Sequence, residues 1–415
     1  MRILATTWSS RRVGGAETYL GRIMALLSAL GHDIGFCFEV DEPEARTPIL
    51  LPPNAAVFRL GASAPSAAIA PVRAWAPDVI YAHGLLDAQL EAELLEVAPA
   101  VFFAHSYYGT CISGDKTHKF PVVRPCTRVF GPACLGLYFP RRCGGASPIT
   151  MMREYSRQRA RLSLLARYDA VMTHSTHMRE EFLRHNAAGG RVFSCSYGIG
   201  DENGLAAPLP VREPRSASAP WHLMFVGRMD RLKGGRELLD ALPRARAGVG
   251  RPLRLTFAGD GPERHEWERH AAIVTRRVPD VTVTFAGWQQ HTSLVPMLDS
   301  SDAVVVPSLW PEPYGLVGPE ANRRGVPVVA FATGGIPEWL VEGVNGCLAP
   351  GDPPSIDGLS DAIVRCLRSL ESSDTLRKGA LAAAGSMPDD VHVRGLVEIL
   401  TGAVARRRAL SAARA

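Results

Sequence analysis

The chain has 415 residues, 46% of them hydrophobic and 21% charged, with a formal net charge of +5. That length exceeds one ordinary core and points to two large domains, and the proportion of apolar residues excludes a disordered chain. The positive charge is spread too thinly to imply nucleic-acid binding, though it suits an anionic substrate or an anionic membrane surface.

The N-terminal MRILATTWSS holds an apolar run too short for the core of a signal peptide and reads as a first strand. No stretch carries about 18 uninterrupted apolar residues, so no spanning helix is expected and a cytoplasmic location is. Eight cysteines in a reducing compartment are expected to be free thiols or metal ligands. A strand over 2–7, a helix over 16–29 and a strand over 34–40 set a βαβ rhythm. Short apolar strands at 78–82, 100–104 and 170–173, flanked by Pro, Asp or His, continue it as buried parallel strands do. Over 204–220 the pattern dissolves into GLAAPLPVREPRSASAP, an exposed connection between domains. A second series follows, with strands at 221–226, 253–258, 281–286, 303–307 and 326–330 and a helix over 236–242. The boundaries are therefore 1–203, a linker at 204–220, 221–388, and a C-terminal helix with a basic tail over 389–415, where Arg406, Arg407 and Arg408 read as a solvated helix end.

The motifs lie at strand ends, where open parallel sheets hold ligands. In FVGRMDRLKGGRELLDAL, Arg228 and Lys233 follow a strand as a natural phosphate clamp, or as solvated charge. TFAGDGPE and VTFAGWQQ close two further strands on glycine, which suits tight turns. PEPYGLVGPEA follows the strand AVVVP and sets Gly315 and Gly318 between Glu312 and Glu320. Glycine lets backbone approach a diphosphate, and N–H groups at a helix start favour anions, although caps and packing would also use these residues.

In this order, with PVVAFATGGIPEWLVEGVNGCL after them, the motifs resemble the family 4 retaining glycosyltransferases of the GT-B fold, closely over 221–351 and more loosely over nearly the whole chain. The resemblance implies two Rossmann-like α/β domains with parallel sheets facing a central cleft, the first on the acceptor side and the second binding the nucleotide sugar. It implies that Arg228 and Lys233 hold the donor phosphates, the backbone of Gly315, Leu316 and Val317 caps the diphosphate, Glu312 lies by the donor sugar and Glu320 binds ribose. VGGAETYL looks like the family's glycine loop, which puts Gly15 at the donor phosphate. FFAHSYYG puts His105 near the donor sugar, with Ser106 where the family commonly has Asp. Trp288 follows the strand end that the family places by the nucleotide base.

The reaction so implied moves a hexose-type sugar from a nucleotide-diphosphate donor to an unidentified acceptor, with retention and same-face attack, in polysaccharide or glycoconjugate biosynthesis. Cations and a helix N-terminus suit the leaving oxygen's growing charge, so no cofactor or catalytic metal is required; no Asp-x-Asp triplet occurs. A sugar-nucleotide epimerase and a non-catalytic nucleotide-sugar-binding protein are the competing readings.

A Cys-rich loop spans 109–147. Its Cys111, Cys126, Cys134 and Cys143, with His118 among them, are open to three readings: free or packing thiols, a structural zinc site, or a disulfide or redox role. From 151 to 167, arginines alternate with apolar residues, as on a helix packed by one face or resting on anionic lipid. The second reading allows peripheral contact at the inner membrane face.

Overall fold

A computed structural model of the protein describes residues 1–12, 14–41, 47–61, 65–195, 216, 219–385 and 389–413. The chain divides into two compact units. One gathers Met1–Gly114, Arg128–Gly198 and Asp389–Ala415, and the other Asp115–Thr127 and Ile199–Pro388. Most of the expected linker at 204–220 lies outside the described residues.

From the N-terminus the elements are β1 (Arg2–Ser9), α1 (Gly15–Ala29), β2 (Asp33–Val40), β3 (Ala56–Arg59), α2 (Pro65–Trp75), β4 (Val79–Ala82), α3 (Ala88–Leu94) and β5 (Ala100–Ala104). A hairpin of β6 (Thr117–His118) and β7 (Arg124–Pro125) precedes α4 (Ala133–Tyr138), α5 (Pro148–Leu165), β8 (Ala170–Thr173), α6 (Thr176–Arg184) and β9 (Val192–Ser194). The first unit's sheet is wholly parallel, in the order β3-β2-β1-β4-β5-β8-β9. β4, β5 and β8 are buried at every residue, which is why VIYA, AVFFA and AVMT are unbroken apolar runs rather than alternating ones. Ser175 starts α6 by accepting the Met178 N–H on its Oγ at 3.2 Å.

The second unit holds β10 (Trp221–Val226), α7 (Gly235–Val249), β11 (Leu253–Ala258), α8 (Arg264–Arg277), β12 (Val281–Gly287), α9 (His291–Ser300), β13 (Ala303–Val306), α10 (Val317–Arg323), β14 (Val328–Phe331), β15 (Gly346–Ala349), α11 (Ile356–Ser372) and α12 (Thr375–Gly385). Its sheet is parallel in the order β12-β11-β10-β13-β14-β15. The period of two along β10 feeds two cores: Leu223 and Phe225 join Trp267, Leu238 and Ile363 on one face, while Met224 joins Val304, Trp339 and Leu340 on the other. The β6–β7 hairpin belongs to this unit, with Val123 against its core and Arg124 Nε 3.1 Å from Asp352 Oδ1.

α13 (Asp389–Ala412) belongs to the first unit. Its His392, Val393, Leu396 and Leu400 are buried, and His392 Nε2 lies 2.8 Å from the Tyr19 hydroxyl. Arg407, expected in a solvated helix end, donates to the Leu95 carbonyl oxygen at 2.9 Å. Of the strands that the apolar pattern does not announce, β6 and β7 have two residues each, and β3, β9 and β15 lie at sheet edges, where short or half-exposed strands carry no long apolar run.

Candidate functional site

In the second unit, winding reverses between the neighbours β10 and β13, the point at which open parallel sheets hold ligands beyond the carboxyl ends of their strands. β10 leads into Arg228 and a one-turn 3-10 helix, Arg231–Lys233; β13 leads into Pro307 and PEPYGLVGPEA. The two loops are tied together. The Leu309 N–H donates to the Leu232 carbonyl oxygen at 2.8 Å. Gly234, at φ 72°, comes so close that a Cβ there would lie 1.8 Å from the Pro307 oxygen.

This closeness brings the two charged motifs into contact. Lys233 Nζ donates to Glu312 Oε1 at 2.7 Å, and the Ser308 hydroxyl donates to the same oxygen at 2.5 Å. The Lys233 ammonium also lies 5.3 Å from the centroid of the Trp310 ring. Glu312 is buried, at 5% exposure, so its charge depends on these donors. Its main chain is held as well, with the Gly335 N–H donating to the Glu312 carbonyl oxygen at 2.7 Å.

Beyond Glu312 the backbone turns at Gly315, with φ 85°, into the seven-residue α10. Gly318 sits under Trp339, where a Cβ would fall 1.8 Å from the indole, and Trp339 Nε1 donates to the Tyr314 oxygen at 2.6 Å. Leu316, Val317 and Glu320 are half-buried, with Glu320 in the first turn of α10. Arg228 is exposed, and its side chain makes no hydrogen bond or ion pair among the described residues; Trp288, beyond β12, is 67% exposed. Thus Lys233 and Glu312 are joined directly, whereas Arg228 and Trp288 are displayed without a protein partner of that kind. The glycines after β11 have a packing reason: a Cβ on Gly259 would fall 2.0 Å from the Gly227 oxygen and one on Gly261 2.4 Å from the Met229 oxygen.

In the first unit the reversal lies between β1 and β4. After β1, the Gly14 N–H donates to Glu17 Oε2 at 2.8 Å and Gly15 opens α1, exposed. One residue beyond β4, β5 and β8 stand His83, His105 and His174, gathered around Tyr19 and Phe103. His83 Nδ1 and His105 Nε2 are 2.6 Å apart. Burial holds all three imidazoles below their ordinary range, His105 at about 3, and the neighbouring rings reinforce this for His83 and His174.

Two family models cover most of the chain: Glycosyltransferase Family 4 over residues 13–199 and Glycosyl transferases group 1 over 220–369. The chain belongs to the family 4 glycosyltransferases. Among curated relatives of this glycosyltransferase, the glycogen synthase of Mycobacterium tuberculosis is 28% identical over 299 residues, 70% of this chain and 60% of the relative, so the match spans under two thirds of that protein. The D-inositol 3-phosphate glycosyltransferase of Kribbella flavida is 30% identical over 45% of this chain and 43% of its own length. Among solved structures, Anabaena HepE in complex with UDP and glucose has a TM-score of 0.67 at 20% identity, covering 97% of this chain and 100% of its own. Sucrose-phosphate synthase from Thermosynechococcus elongatus has a TM-score of 0.68 at 21% identity, covering 99% of both chains. These likenesses establish the GT-B fold, with its two parallel-sheet Rossmann-like domains.

The cysteines of the glycosyltransferase's 109–147 loop are free thiols, two of them on one apolar cluster. Cys143 is buried with Ile112, Phe130 and Tyr138, Cys134 packs on that cluster, and Cys111 Sγ lies 3.6 Å from Ser113 Oγ. Cys126 belongs to the segment that joins the other unit. Among the described residues no three His, Cys, Asp or Glu side chains are grouped to hold a metal, so the zinc expectation finds no ligand set at Cys111, Cys126, Cys134 and Cys143. Ser308, Trp310, His83 and His174 stand outside the expected residues. A signal was present: YAHG and THS repeat the pattern of AHS, a histidine directly after a buried strand, and Ser308 stands four residues before Glu312.

Proposed function

We propose that this chain is a retaining, metal-independent glycosyltransferase that moves a hexose-type sugar from a nucleotide-diphosphate sugar to an acceptor hydroxyl. The observation that carries the reading is the 2.7 Å contact of Lys233 Nζ with Glu312 Oε1, which joins the β10 and β13 loops at the sheet's winding reversal. An ammonium has three donors, so Lys233 can keep Glu312 and still reach a donor phosphate. In the reaction the bond from the anomeric carbon to the leaving oxygen breaks and the diphosphate takes the electron pair. Lys233 and Arg228 stabilise that charge with the backbone of Gly315, Leu316 and Val317. The acceptor oxygen bonds to the same face of the anomeric carbon, and its proton passes to a donor phosphate oxygen. Glu312 faces the donor sugar, Glu320 takes the ribose diol, Trp288 lies by the base, and Gly15 and His105 are further donor contacts.

A thermal-shift screen of nucleoside diphosphates and their sugars, followed by product analysis with candidate acceptors, tests this. Transfer with retained configuration, undiminished by chelator, is the expected result. Epimerised donor, or binding without turnover, would move the assignment to the competing readings. Arg228→Ala is expected to lower the rate of transfer and Glu320→Ala to weaken donor binding.

Membrane contact belongs to the same proposal. At the start of α5, Ile149 is 82% exposed and Met152 49% exposed, with the Arg153 side chain beside them at 73%. No described helix is long and apolar enough to cross a membrane, so any contact is at the surface. Salt-sensitive pelleting with anionic liposomes is expected, and its absence would end this part of the reading.

A further inference from the structure

We infer that His83 is a positioning residue: it donates its Nδ1–H to Nε2 of His105 and so fixes the proton of His105 on Nδ1, the nitrogen left to meet the donor sugar. The inference rests on the donor-side role proposed for His105.

The geometry is that of a directed bond. His83 Nδ1 and His105 Nε2 are 2.6 Å apart, the ring centroids are 4.9 Å apart and the planes differ by 22°. The N···N separation plus the two ring radii accounts for the whole centroid distance. The two nitrogens therefore lie on the line between ring centres, and the bond runs in the plane of both rings rather than between stacked faces. Both rings are held neutral by burial, so this is a single N–H···N bond with one proton between the nitrogens.

The direction of that proton follows from the other end of His83. Its Nε2 is buried and has no hydrogen-bond partner among the described residues. A neutral imidazole carries one N–H. Placed on Nε2, that proton would be a buried donor without an acceptor, the rarer of the two unsatisfied states; placed on Nδ1, it reaches His105. His105 Nε2 is then the acceptor and its proton sits on Nδ1. His105 is half-buried beside exposed Ser106. His83 is itself wedged edge-on to Tyr81, at 4.4 Å and 79°, with Phe103 at 5.7 Å and 29°. A clamped ring offering one donor sets the tautomer of its neighbour, as a buried carboxylate does for the imidazole of a catalytic triad.

The test uses the full chain labelled with 15N at histidine, near pH 7.5, with the His105 signals assigned by their loss in His105→Gln. Long-range 1H–15N correlations are expected to show His105 protonated on Nδ1. His83→Asn offers an amide N–H close to the position of Nδ1 and should keep that pattern. His83→Phe keeps a ring without a donor, so His105 Nε2 loses its hydrogen bond and its 15N signal should move off that pattern. With UDP-glucose as the probe and UDP release as the readout, His83→Phe should lower kcat by about tenfold to a hundredfold with little change in KM, and His83→Asn should recover most of it. A wild-type His105 protonated on Nε2, an unchanged spectrum in His83→Phe, or a loss confined to KM would overturn the inference. The spectra need no substrate, so an inactive wild type would defeat the glycosyltransferase reading and leave the tautomer assignment standing.

Discussion

At the scale of single residues, the Lys233–Glu312 pair carries both stability and chemistry, and the two can be separated. The Lys233 side chain is 31% exposed and that of Glu312 only 7%, so the partners do not lose equally when one is removed. Lys233→Met leaves a buried carboxylate still held by the Ser308 hydroxyl, and after discounting for the exposed lysine a cost of about 1–3 kcal/mol is expected. Adding Glu312→Gln removes the stranded charge, so Tm should recover while transfer stays low, by on the order of a hundredfold. Recovery of activity together with Tm would show that the lysine serves only packing. The histidines give a second expectation. His83, His105 and His174 resist protonation in the folded chain, whereas in the unfolded chain they take up protons near pH 6.5. Below that pH the unfolded state binds more protons, so stability is full above about pH 6.5 and declines towards pH 3. His174→Phe should flatten the fall in Tm between pH 7 and 5; an unaltered slope would remove His174 from the effect.

At the scale of elements, α10 is placed by packing rather than by its own length. Seven residues give little intrinsic helix stability, and what fixes α10 is Trp339 lying on Gly318 with its indole N–H on the Tyr314 oxygen. Gly318→Ala would drive a methyl into the indole, costing about 1–3 kcal/mol, and should raise the donor KM more than it lowers kcat because the displaced backbone begins at Gly315. An unchanged KM in a destabilised protein would detach α10 from the donor. The placement of this helix was legible in the sequence as far as glycine and glutamate spacing allow. What the spacing could not carry is Trp339, twenty-one positions on, whose contact with Gly318 depends on the fold bringing two loops together. Buried strands such as AVFFA read directly because burial on both faces leaves an unbroken apolar run. The edge strands β3, β9 and β15 did not, since an edge needs no such run.

At the scale of the whole molecule, the last helix completes the first domain. The sequence shows a spaced apolar helix with a basic end, and that pattern does not say which core it covers; the burial of His392, Val393, Leu396 and Leu400 with the first domain does. Val393, Leu396 and Leu400, at about 1.5–3 kcal/mol each, supply roughly 5–9 kcal/mol of burial, an amount comparable to the net stability of an entire domain. The His392 bond to Tyr19 adds to this, and Tyr19 is also the centre of the ring cluster that holds His105. A chain ending at Pro388 should therefore lose its first domain, not merely a tail. Limited proteolysis followed by mass spectrometry would check it: cuts should spread through 1–114 and 128–195 while 115–127 and 221–385 stay protected, because among the described residues the second domain's core clusters include none from α13. A truncated chain that resists cleavage over 1–114 and 128–195 as the full chain does would show the helix to be dispensable to the first domain and to the His105 cluster.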